Sequence, residues 1–262
     1  MIDKNVSQKT SGAEVASLEY DQIAEKYQEA TKRPSRKLIL EPSIIKNLGD
    51  ITDKRVLDLA CGEGYSSRLC IELGAKEVIG IDISAKEIEM ANKIGNPEHK
   101  GQIKYIVGNA AGELPNLGNF DVVTAVMLLQ YCSSQEMIKN ILQNVRSCLS
   151  PSDSFFLTSM PNPDIMNDYE GYGVKLKREK KDEGSLVKVT LSDFETGKIL
   201  CSFSNYFWSK ETYDRIFKEE GFDLQWNNAS VSPEGIKKYG KEFWKKFEEK
   251  PTYKILKAKL KI

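Results

Sequence analysis

The stretch with the clearest chemical character is VLDLACGEGYSS, residues 56–67, where an acid and two glycines follow a short apolar run. Asp58 stands near the end of the run, and Gly62 and Gly64 follow it two residues apart. Glycines at this spacing let a backbone turn sharply after a strand and approach a bound ligand closely. The pattern predicts a ligand-binding turn, for either a dinucleotide or a nucleoside that carries no phosphate.

The acid before the turn helps to separate these two ligands. A dinucleotide-binding turn has the pattern G-x-G-x-x-G, but counting from Gly62 gives Gly64 and then Ser67, so the third glycine is missing. The carboxylate of Asp58 would repel a pyrophosphate and attract an ammonium group. We therefore expect a ligand that is positively charged at this end.

Two polar residues follow the next two apolar runs. Asp82 ends the run VIGID, 24 residues after Asp58, where a carboxylate can accept hydrogen bonds from both hydroxyls of a ribose. Asn109 follows the third run in GNAA, where its side-chain amide could bind the edge of an adenine. An amino acid, a ribose and an adenine without phosphate together make S-adenosylmethionine.

The elements that must position these residues alternate regularly as far as Pro161. Strands are predicted at KRVLDLA, EVIGID, IKYIVGNA, FDVVTAVMLLQY and SFFLTSM, with helices at YSSRLCIELGA, SAKEIEMANKIG and SSQEMIKNILQNVRSCL. Apolar strands alternating with helices predict a parallel sheet covered on both faces. Ligands bind beyond the carboxyl ends of the strands in such sheets, which is where the glycine turn falls.

The pattern changes on either side of this alternation. EYDQIAEKYQEA and PSRKLILEPSIIKNLGD precede it and predict two helices, the second broken at Pro42. After Pro161, three antiparallel strands are predicted at GVKLKREK, SLVKVTLSDF and ILCSFSNYF. The helix SKETYDRIFKEEG follows, and then the strands FDLQWNNASV and TYKILKAKLKI with the helical stretch SPEGIKKYGKEFWKKFEE between them.

The expected fold is therefore α/β, with a Rossmann-like, mostly parallel seven-stranded sheet and helices on both faces. A small antiparallel β insertion follows the fifth strand. Residues 1–18 are expected to be a flexible N-terminal segment, and residues 19–262 a single domain. Residues 164–208 and 232–250 are expected to leave the sheet at its carboxyl edge and cover the substrate site.

Composition excludes several classes of function. Lysine plus arginine and aspartate plus glutamate number 38 each, so no overall field attracts nucleic acid or an anionic membrane. No apolar run approaches the length of a membrane span. The five cysteines have no metal-binding spacing, which predicts no metal and a cytoplasmic protein. The single histidine, His99, rules out a multi-histidine metal site. Oligomeric state stays open.

In order and spacing, VLDLACGEGYSS, VIGIDIS, GNAAGELP and FDVVTAVMLLQY resemble the cofactor motifs of class I S-adenosylmethionine-dependent methyltransferases, over roughly residues 19–160. PSRKLILEPSIIKNLGD and VSPEGIKKYGKEFWKKFEEKP resemble the toxoflavin-synthase-like subgroup of small-molecule enzymes. The resemblance implies transfer of a methyl group to an N or O atom of a small, planar or aromatic molecule by in-line displacement.

The resemblance also implies roles for single residues. Gly62 and Gly64 would approach the methionine part of the cofactor, and Asp58 its ammonium group, directly or through water, unless Asp58 only caps local amides. Asp82 would hold the ribose, and Arg36 the cofactor carboxylate, since a planar guanidinium suits a carboxylate. The remaining predicted cofactor contacts are Tyr20, Tyr27, Ala60, Ile83, Asn109, Ala110 and Met127. Several of these are equally compatible with ordinary turn or core positions.

For the methyl acceptor, the predicted contacts are Tyr131, Phe207 and Trp244. Aromatic residues of the two cover segments suit a ring, although they could instead be the packing of a small subdomain. No catalytic base stands out, because His99 falls at the wrong end of the sheet. Two alternative functions stay open: a catalytically silent nucleoside-binding or dimer-partner module, and an NAD-dependent oxidoreductase.

Overall fold

A computed structural model of the chain describes residues 34–95, 102–166 and 168–261. The predicted helix at EYDQIAEKYQEA, with Tyr20 and Tyr27, lies outside these ranges, as does His99. No helix in the described ranges has the length and apolar character needed to cross a membrane.

The strands form a seven-stranded and a four-stranded sheet. They are β1 (Arg55–Leu59), β2 (Glu77–Asp82), β3 (Ile103–Val107), β4 (Val122–Val126), β5 (Phe155–Pro161), β6 (Asp168–Gly171), β7 (Val174–Arg178), β8 (Leu186–Ser192), β9 (Ile199–Tyr206), β10 (Phe222–Asn228) and β11 (Tyr253–Leu260). The larger sheet has the order β10-β11-β5-β4-β1-β2-β3, and β11 is antiparallel to both of its neighbours. This confirms the predicted seven-stranded, mostly parallel sheet.

The helices are α1 (Glu41–Leu48), α2 (Tyr65–Glu72), α3 (Ala85–Ile94), α4 (Gln135–Cys148), α5 (Lys210–Glu219), α6 (Pro233–Tyr239) and α7 (Lys241–Glu249). Serine hydroxyls cap four of them by accepting a backbone N–H of the first turn. The capping residues are Ser84, Ser134, Ser209 and Ser232. The stretch predicted as one helical cover is two helices, because Gly240 (φ 79°) separates α6 from α7.

The strand order indicates where a ligand would bind at the edge of the sheet. The chain runs outward from β1 through β2 to β3 and then returns to β4 on the other side of β1. The carboxyl ends of β1 and β4 therefore flank the point where the strand order reverses, which is where open α/β sheets bind their ligands.

Each face of the large sheet has its own apolar core. On one face, Leu57 and Leu59 pack in the same cluster as Ile138 of α4 and Phe217 of α5. On the other face, Val56 of β1 belongs to a second cluster. Its other members include Ile71 of α2, Ile44 of α1 and Trp244 of α7. The two-sided burial accounts for the continuous apolar runs of these strands.

The insertion after β5 contains four antiparallel strands, where three were predicted. The missed strand, β6, has the sequence DYEG, which is short and has no apolar alternation to reveal it. A separate apolar cluster lies on one face of this four-stranded sheet. It includes Val174, Leu176, Val187, Val189 and Leu191.

The helix expected to break at Pro42 is continuous. A π-helical segment, Arg36–Leu40, runs directly into α1, and Pro42 occupies the first turn of α1. Proline has no N–H to donate to the carbonyl four residues earlier. Here the Leu38 carbonyl instead accepts the backbone N–H of Ser232 (2.8 Å). A contact distant in sequence thus replaces the bond that the proline removes.

Candidate functional site at the glycine turn

The turn after β1 is built from left-handed backbone conformations. Ala60 (φ 56°), Gly62 (φ 54°) and Gly64 (φ 83°) all have positive φ. The Gly62 N–H donates to Asp82 Oδ2 (2.8 Å), so the turn folds back onto the end of β2. Glycine adopts this conformation freely, but an alanine there costs about 1–2 kcal/mol. Strain of this kind at a strand end favours a functional constraint on the turn.

Tyr105, which was not predicted from the sequence, packs against the glycine turn and supports it. Tyr105 on β3 is in register with Gly80 on β2, and its hydroxyl donates to the Gly64 carbonyl (3.4 Å). A Cβ placed on Gly80 would lie 2.8 Å from Tyr105 Cδ1, and one on Gly64 would lie 2.6 Å from Tyr105 Cζ. The ring therefore occupies the space that two glycines leave. The signal was the glycine within β2, which marks a close approach.

Asp58 is buried and paired. Its side chain is 0% exposed, and its two oxygens accept hydrogen bonds from Ser67 Oγ (2.7 Å) and Thr124 Oγ1 (2.9 Å). Burial raises the pKa of this carboxyl to about 6, although both hydroxyl bonds act in the opposite direction. Neither partner is a local backbone amide, so Asp58 ties β1 to α2 and β4. Its predicted contact with a ligand ammonium stays a prediction.

Asp82 lies at the edge of the same turn. Besides the Gly62 bond, its Oδ1 accepts the Ser84 N–H (2.9 Å) at the start of α3. A carboxylate has about four acceptor positions, so two amide bonds do not saturate it. Asp82 and the following Ile83 are both partly exposed, which is compatible with the predicted ribose and adenine contacts.

The loop after β3 is held by two asparagines. Asn109 Oδ1 accepts the Ala111 N–H (2.9 Å), a local turn that leaves the amide nitrogen as the group able to donate. Asn144 of α4, which was not predicted, donates to the carbonyls of Ala110 (2.9 Å) and Gly112 (2.6 Å). Asn144 thus fixes the loop that was expected to face the adenine.

The end of β4 is also strained. Met127 has φ 62°, its N–H donates to the Ser159 carbonyl (3.0 Å), and its own carbonyl accepts Gln130 Nε2 (2.7 Å). Unbranched Met127 and small Ala60 therefore carry positive φ at the carboxyl ends of adjacent strands. The structure brings these two predicted cofactor contacts to the same edge of the sheet.

Arg36 reaches this edge from the π-helical segment. Its guanidinium lies over the ring of Tyr65, 4.2 Å from the centroid. Tyr65 is the first residue of α2 and follows Gly64 directly, and its hydroxyl bonds to the Glu41 carboxylate. The predicted carboxylate-binding cation is therefore beside the glycine turn.

The three predicted acceptor contacts differ in position. The Tyr131 ring lies 6.3 Å from the ring of Phe203, and the partly exposed Phe207 stacks under Arg178 (3.6 Å). Trp244 is 0% exposed and its Nε1 donates to the Gly235 carbonyl (2.9 Å). The Trp244 ring is therefore packed in the core, and its predicted contact with the acceptor stays a prediction.

Comparison with known proteins finds a family match that includes the glycine turn. Residues 56–152 match a family described as "Methyltransferase domain". Among curated relatives, an uncharacterized protein of Haemophilus influenzae is 28% identical over 206 residues, 76% of each chain. The demethylmenaquinone methyltransferase of Lactococcus lactis is 25% identical over 180 residues, 68% of this chain and 69% of that one.

Solved structures agree with the fold. The crystal structure of an S-adenosylmethionine-dependent methyltransferase from Mesorhizobium loti superposes with a TM-score of 0.62 at 17% identity. The superposition covers 87% of this chain and 99% of that one. At this identity the likeness establishes the fold, and the site residues must support the chemistry.

Proposed function

We propose that this chain is a class I S-adenosylmethionine-dependent methyltransferase that transfers a methyl group to an N or O atom of a small, planar molecule. The observation that carries the proposal is the glycine turn bonded to Asp82 at the reversal point of the sheet. The family cofactor, S-adenosylmethionine, supplies a methyl group already activated on a sulfonium. The protein has to hold the cofactor and the acceptor in line and exclude water, and orientation alone can lower a barrier by about 7–11 kcal/mol.

The charge around the turn supports a cationic cofactor over a dinucleotide. Asp58 and Asp82 flank the turn, and Glu87 Oε2 lies 3.7 Å from the position of a Cβ on Gly62. The neighbouring cation Arg68 is paired with Glu63 (2.6 Å). Three carboxylates favour a ligand with sulfonium and ammonium charges and oppose a pyrophosphate. NAD-dependent oxidation is thereby disfavoured.

Each part of the cofactor has a residue proposed for it. Gly62 and Gly64 would let the methionine part approach the backbone, and Arg36 would bind its carboxylate. Asp82 would accept the ribose hydroxyls. The adenine would lie between Ile83 and the Asn109–Ala110 loop, where the Asn109 amide nitrogen can donate to a ring nitrogen. Tyr20 and Tyr27 stay predictions from the sequence.

One relative and the surroundings of the site support a small-molecule acceptor. The Lactococcus lactis relative is named for a quinone-type acceptor, and Tyr131 and Phe203 provide aromatic rings beside the end of β4. The balanced charge gives no attraction for RNA or DNA. We place the chain with small-molecule enzymes, and the toxoflavin-synthase-like subgroup stays a prediction.

Calorimetry with S-adenosylhomocysteine and NAD tests the cofactor. The protein should bind the first and bind NAD poorly, and Asp82→Ala should weaken S-adenosylhomocysteine binding at least tenfold, since bonds to a charged group contribute about 1.5–3 kcal/mol each. Asp223→Ala, an exposed acid on β10, is the matched control and should bind normally. Tight NAD binding without S-adenosylhomocysteine binding would overturn the proposal.

Turnover separates an enzyme from a silent binding module. Incubating the protein with S-adenosylmethionine and a pool of small metabolites should release S-adenosylhomocysteine and yield a product heavier by one methyl group in mass spectrometry. Binding of the cofactor with no product from any pool would favour the silent module.

A further inference from the structure

Three buried side chains beside the end of β4 each carry one polar atom that has no hydrogen-bond partner in the part of the chain that the structure describes. The atoms are Gln130 Oε1, Ser159 Oγ and Asn205 Oδ1, and each residue is 1% exposed. Leaving such an atom unsatisfied costs about 1–3 kcal/mol, and native proteins keep few of them. A cluster of three is a place where a bound molecule would complete the hydrogen bonding.

Gln130 lies in the short turn Leu129–Tyr131, which follows β4, and the strands that carry Ser159 (β5) and Asn205 (β9) both pack against this turn. Gln130 and Ser159 are joined through Met127, which accepts Gln130 Nε2 and donates its N–H to the Ser159 carbonyl. Asn205 lies on β9, and this strand packs against the turn. The 6.3 Å contact between the rings of Tyr131 and Phe203 is part of that packing.

Phe203 and Asn205 are two residues apart on β9 and so face the same side of the small sheet. Just beyond them, Trp208 Nε1 donates to the Cys132 carbonyl (2.9 Å) and fastens the end of this segment to the turn. The unsatisfied atoms thus lie next to two aromatic rings, at the carboxyl edge where the cofactor's methyl group would arrive.

A bond within the cluster defines the polarity at Gln130. Because Gln130 Nε2 already donates to a carbonyl, its Oε1 is fixed as an acceptor. At Asn205, too, the atom without a partner is the amide oxygen. Two amide oxygens can be satisfied only by donors, so the missing partner must carry N–H or O–H groups.

A nearby cation limits the charge of that partner. Arg178 on β7 pairs with Val187 on β8, which pairs with Asn205 on β9. Arg178 and Asn205 therefore lie in one row across the small sheet, about 10 Å apart at two strand spacings. The guanidinium of Arg178 stacks on the ring of Phe207. This positive charge disfavours a cationic molecule.

We propose that Gln130, Asn205 and Ser159 form the acceptor pocket, and that they select a non-cationic ring bearing N–H or O–H donors, of the lactam or phenol class. The inference rests on the function proposed above and deepens it. Tyr131 and Phe203 stack against the ring, and the two amide oxygens receive its donors. A ring whose donors are capped by methyl groups leaves both oxygens unpaired and is rejected.

Matched fragment pairs test this inference without knowledge of the natural acceptor. Ligand-observed NMR on protein saturated with S-adenosylhomocysteine compares uracil with 1,3-dimethyluracil and 2-pyridone with 1-methyl-2-pyridone. The donor-bearing member of each pair should bind at least tenfold more tightly. Equal binding within the pairs, or binding of neither member, would overturn the inference.

Substitutions of Asn205 and Gln130 test whether these residues cause the preference for donor-bearing fragments. Asn205→Leu should abolish the preference without lowering the thermal midpoint, because it replaces an unsatisfied amide by an apolar group of similar size. Asn205→Asp keeps an acceptor oxygen and should keep the preference, and so should Asn92→Leu on the exposed face of α3. If Asn205→Leu fails to fold, Gln130→Met serves instead. A folded Asn205→Leu or Gln130→Met that still prefers the donor-bearing fragments contradicts the assignment.

Calorimetry with S-adenosylhomocysteine on the same samples keeps the two proposals apart. If the protein binds the cofactor normally but does not discriminate between the fragments, only the proposed acceptor pocket is contradicted. If the unmodified protein does not bind S-adenosylhomocysteine, the proposed methyltransferase function itself is contradicted.

Discussion

Asp58 shows how far a single residue can be understood from its neighbours in sequence. The acid after an apolar run indicated a ligand that is not a phosphate, and its position at the glycine turn agrees with that expectation. Its complete burial, and its bonds to Ser67 and Thr124, could not be predicted. Both depend on which strand lies beside β1, and the sequence does not state strand order.

The buried carboxyl of Asp58 should make stability depend on pH. Its pKa is about 6 in the folded protein against an ordinary value of 3.8, with burial as the main cause. The folded state therefore holds this proton more tightly than the unfolded state, so the free energy of unfolding should fall as pH rises from about 4 to about 6 and then level off. The full effect is about 3 kcal/mol.

Urea denaturation at several pH values, on the natural protein and Asp58→Asn, measures this contribution. The amide does not ionise, and the two hydroxyl partners can rotate to suit it. The difference in free energy between the two proteins should change across this pH range. A constant difference from pH 4 to pH 7 would show that Asp58 does not titrate there.

At the scale of elements, most helices and strands follow from periodicity and caps, whereas their contacts do not. Tyr105 reads as an ordinary strand residue in IKYIV, and only the register with Gly80 shows that it supports the turn. The same holds for Pro42, which predicts a helix break until the Ser232 amide is known to satisfy the Leu38 carbonyl. In both cases the local structure depends on contacts between residues that are distant in sequence.

Gly64→Ala should destabilise the protein more than a glycine-to-alanine change at a similar φ elsewhere. Gly197 (φ 72°) has open space around its Cβ position, so Gly197→Ala measures backbone strain alone, about 1–2 kcal/mol. Gly64→Ala adds the clash with Tyr105, about 1–3 kcal/mol more. Urea midpoints compare the two, and an equal loss would mean that Tyr105 moves aside at no cost.

Ser43 links α1 to the loop before α6, and its contribution to stability can be measured. Its buried hydroxyl donates to Ile39 and accepts the Ser230 N–H (2.9 Å), so Ser43→Ala should cost about 1 kcal/mol or more. Ser147→Ala, which removes a bond within the exposed end of α4, is the control and should cost less. Thermal melting of both variants gives the comparison, and equal midpoints would mean that this link adds little.

At the scale of the whole molecule, the two segments predicted as substrate covers pack against each other. Tyr172, in the turn between β6 and β7, stacks on Trp244 of α7 (5.1 Å). Its hydroxyl donates to the Phe243 carbonyl (2.8 Å) and accepts the Phe247 N–H (3.1 Å). The sequence indicated that both segments are aromatic. It could not distinguish rings that pack on each other from rings that face a ligand, because both require the same residue types.

Trp244→Ala should therefore lower stability by about 3–5 kcal/mol, the range for truncating a buried aromatic residue. Phe243→Ala, one residue earlier and 41% exposed, should lower it much less. Denaturant titration of both variants measures the difference. A stable Trp244→Ala protein with altered acceptor selectivity would support the role predicted from the sequence.

The separate apolar cluster of the four-stranded sheet has an evolutionary consequence. Effects of substitutions add when residues share no partners, so the stability cost of changing Val174, Leu176 or Val189 does not depend on which residues lie beneath the glycine turn. If this sheet recognises the acceptor, as proposed, natural selection can alter the acceptor by small changes in the sheet while the turn and Tyr105 stay unaltered. Lineages that inherit this chain should diverge in what they modify sooner than in how they carry out the reaction.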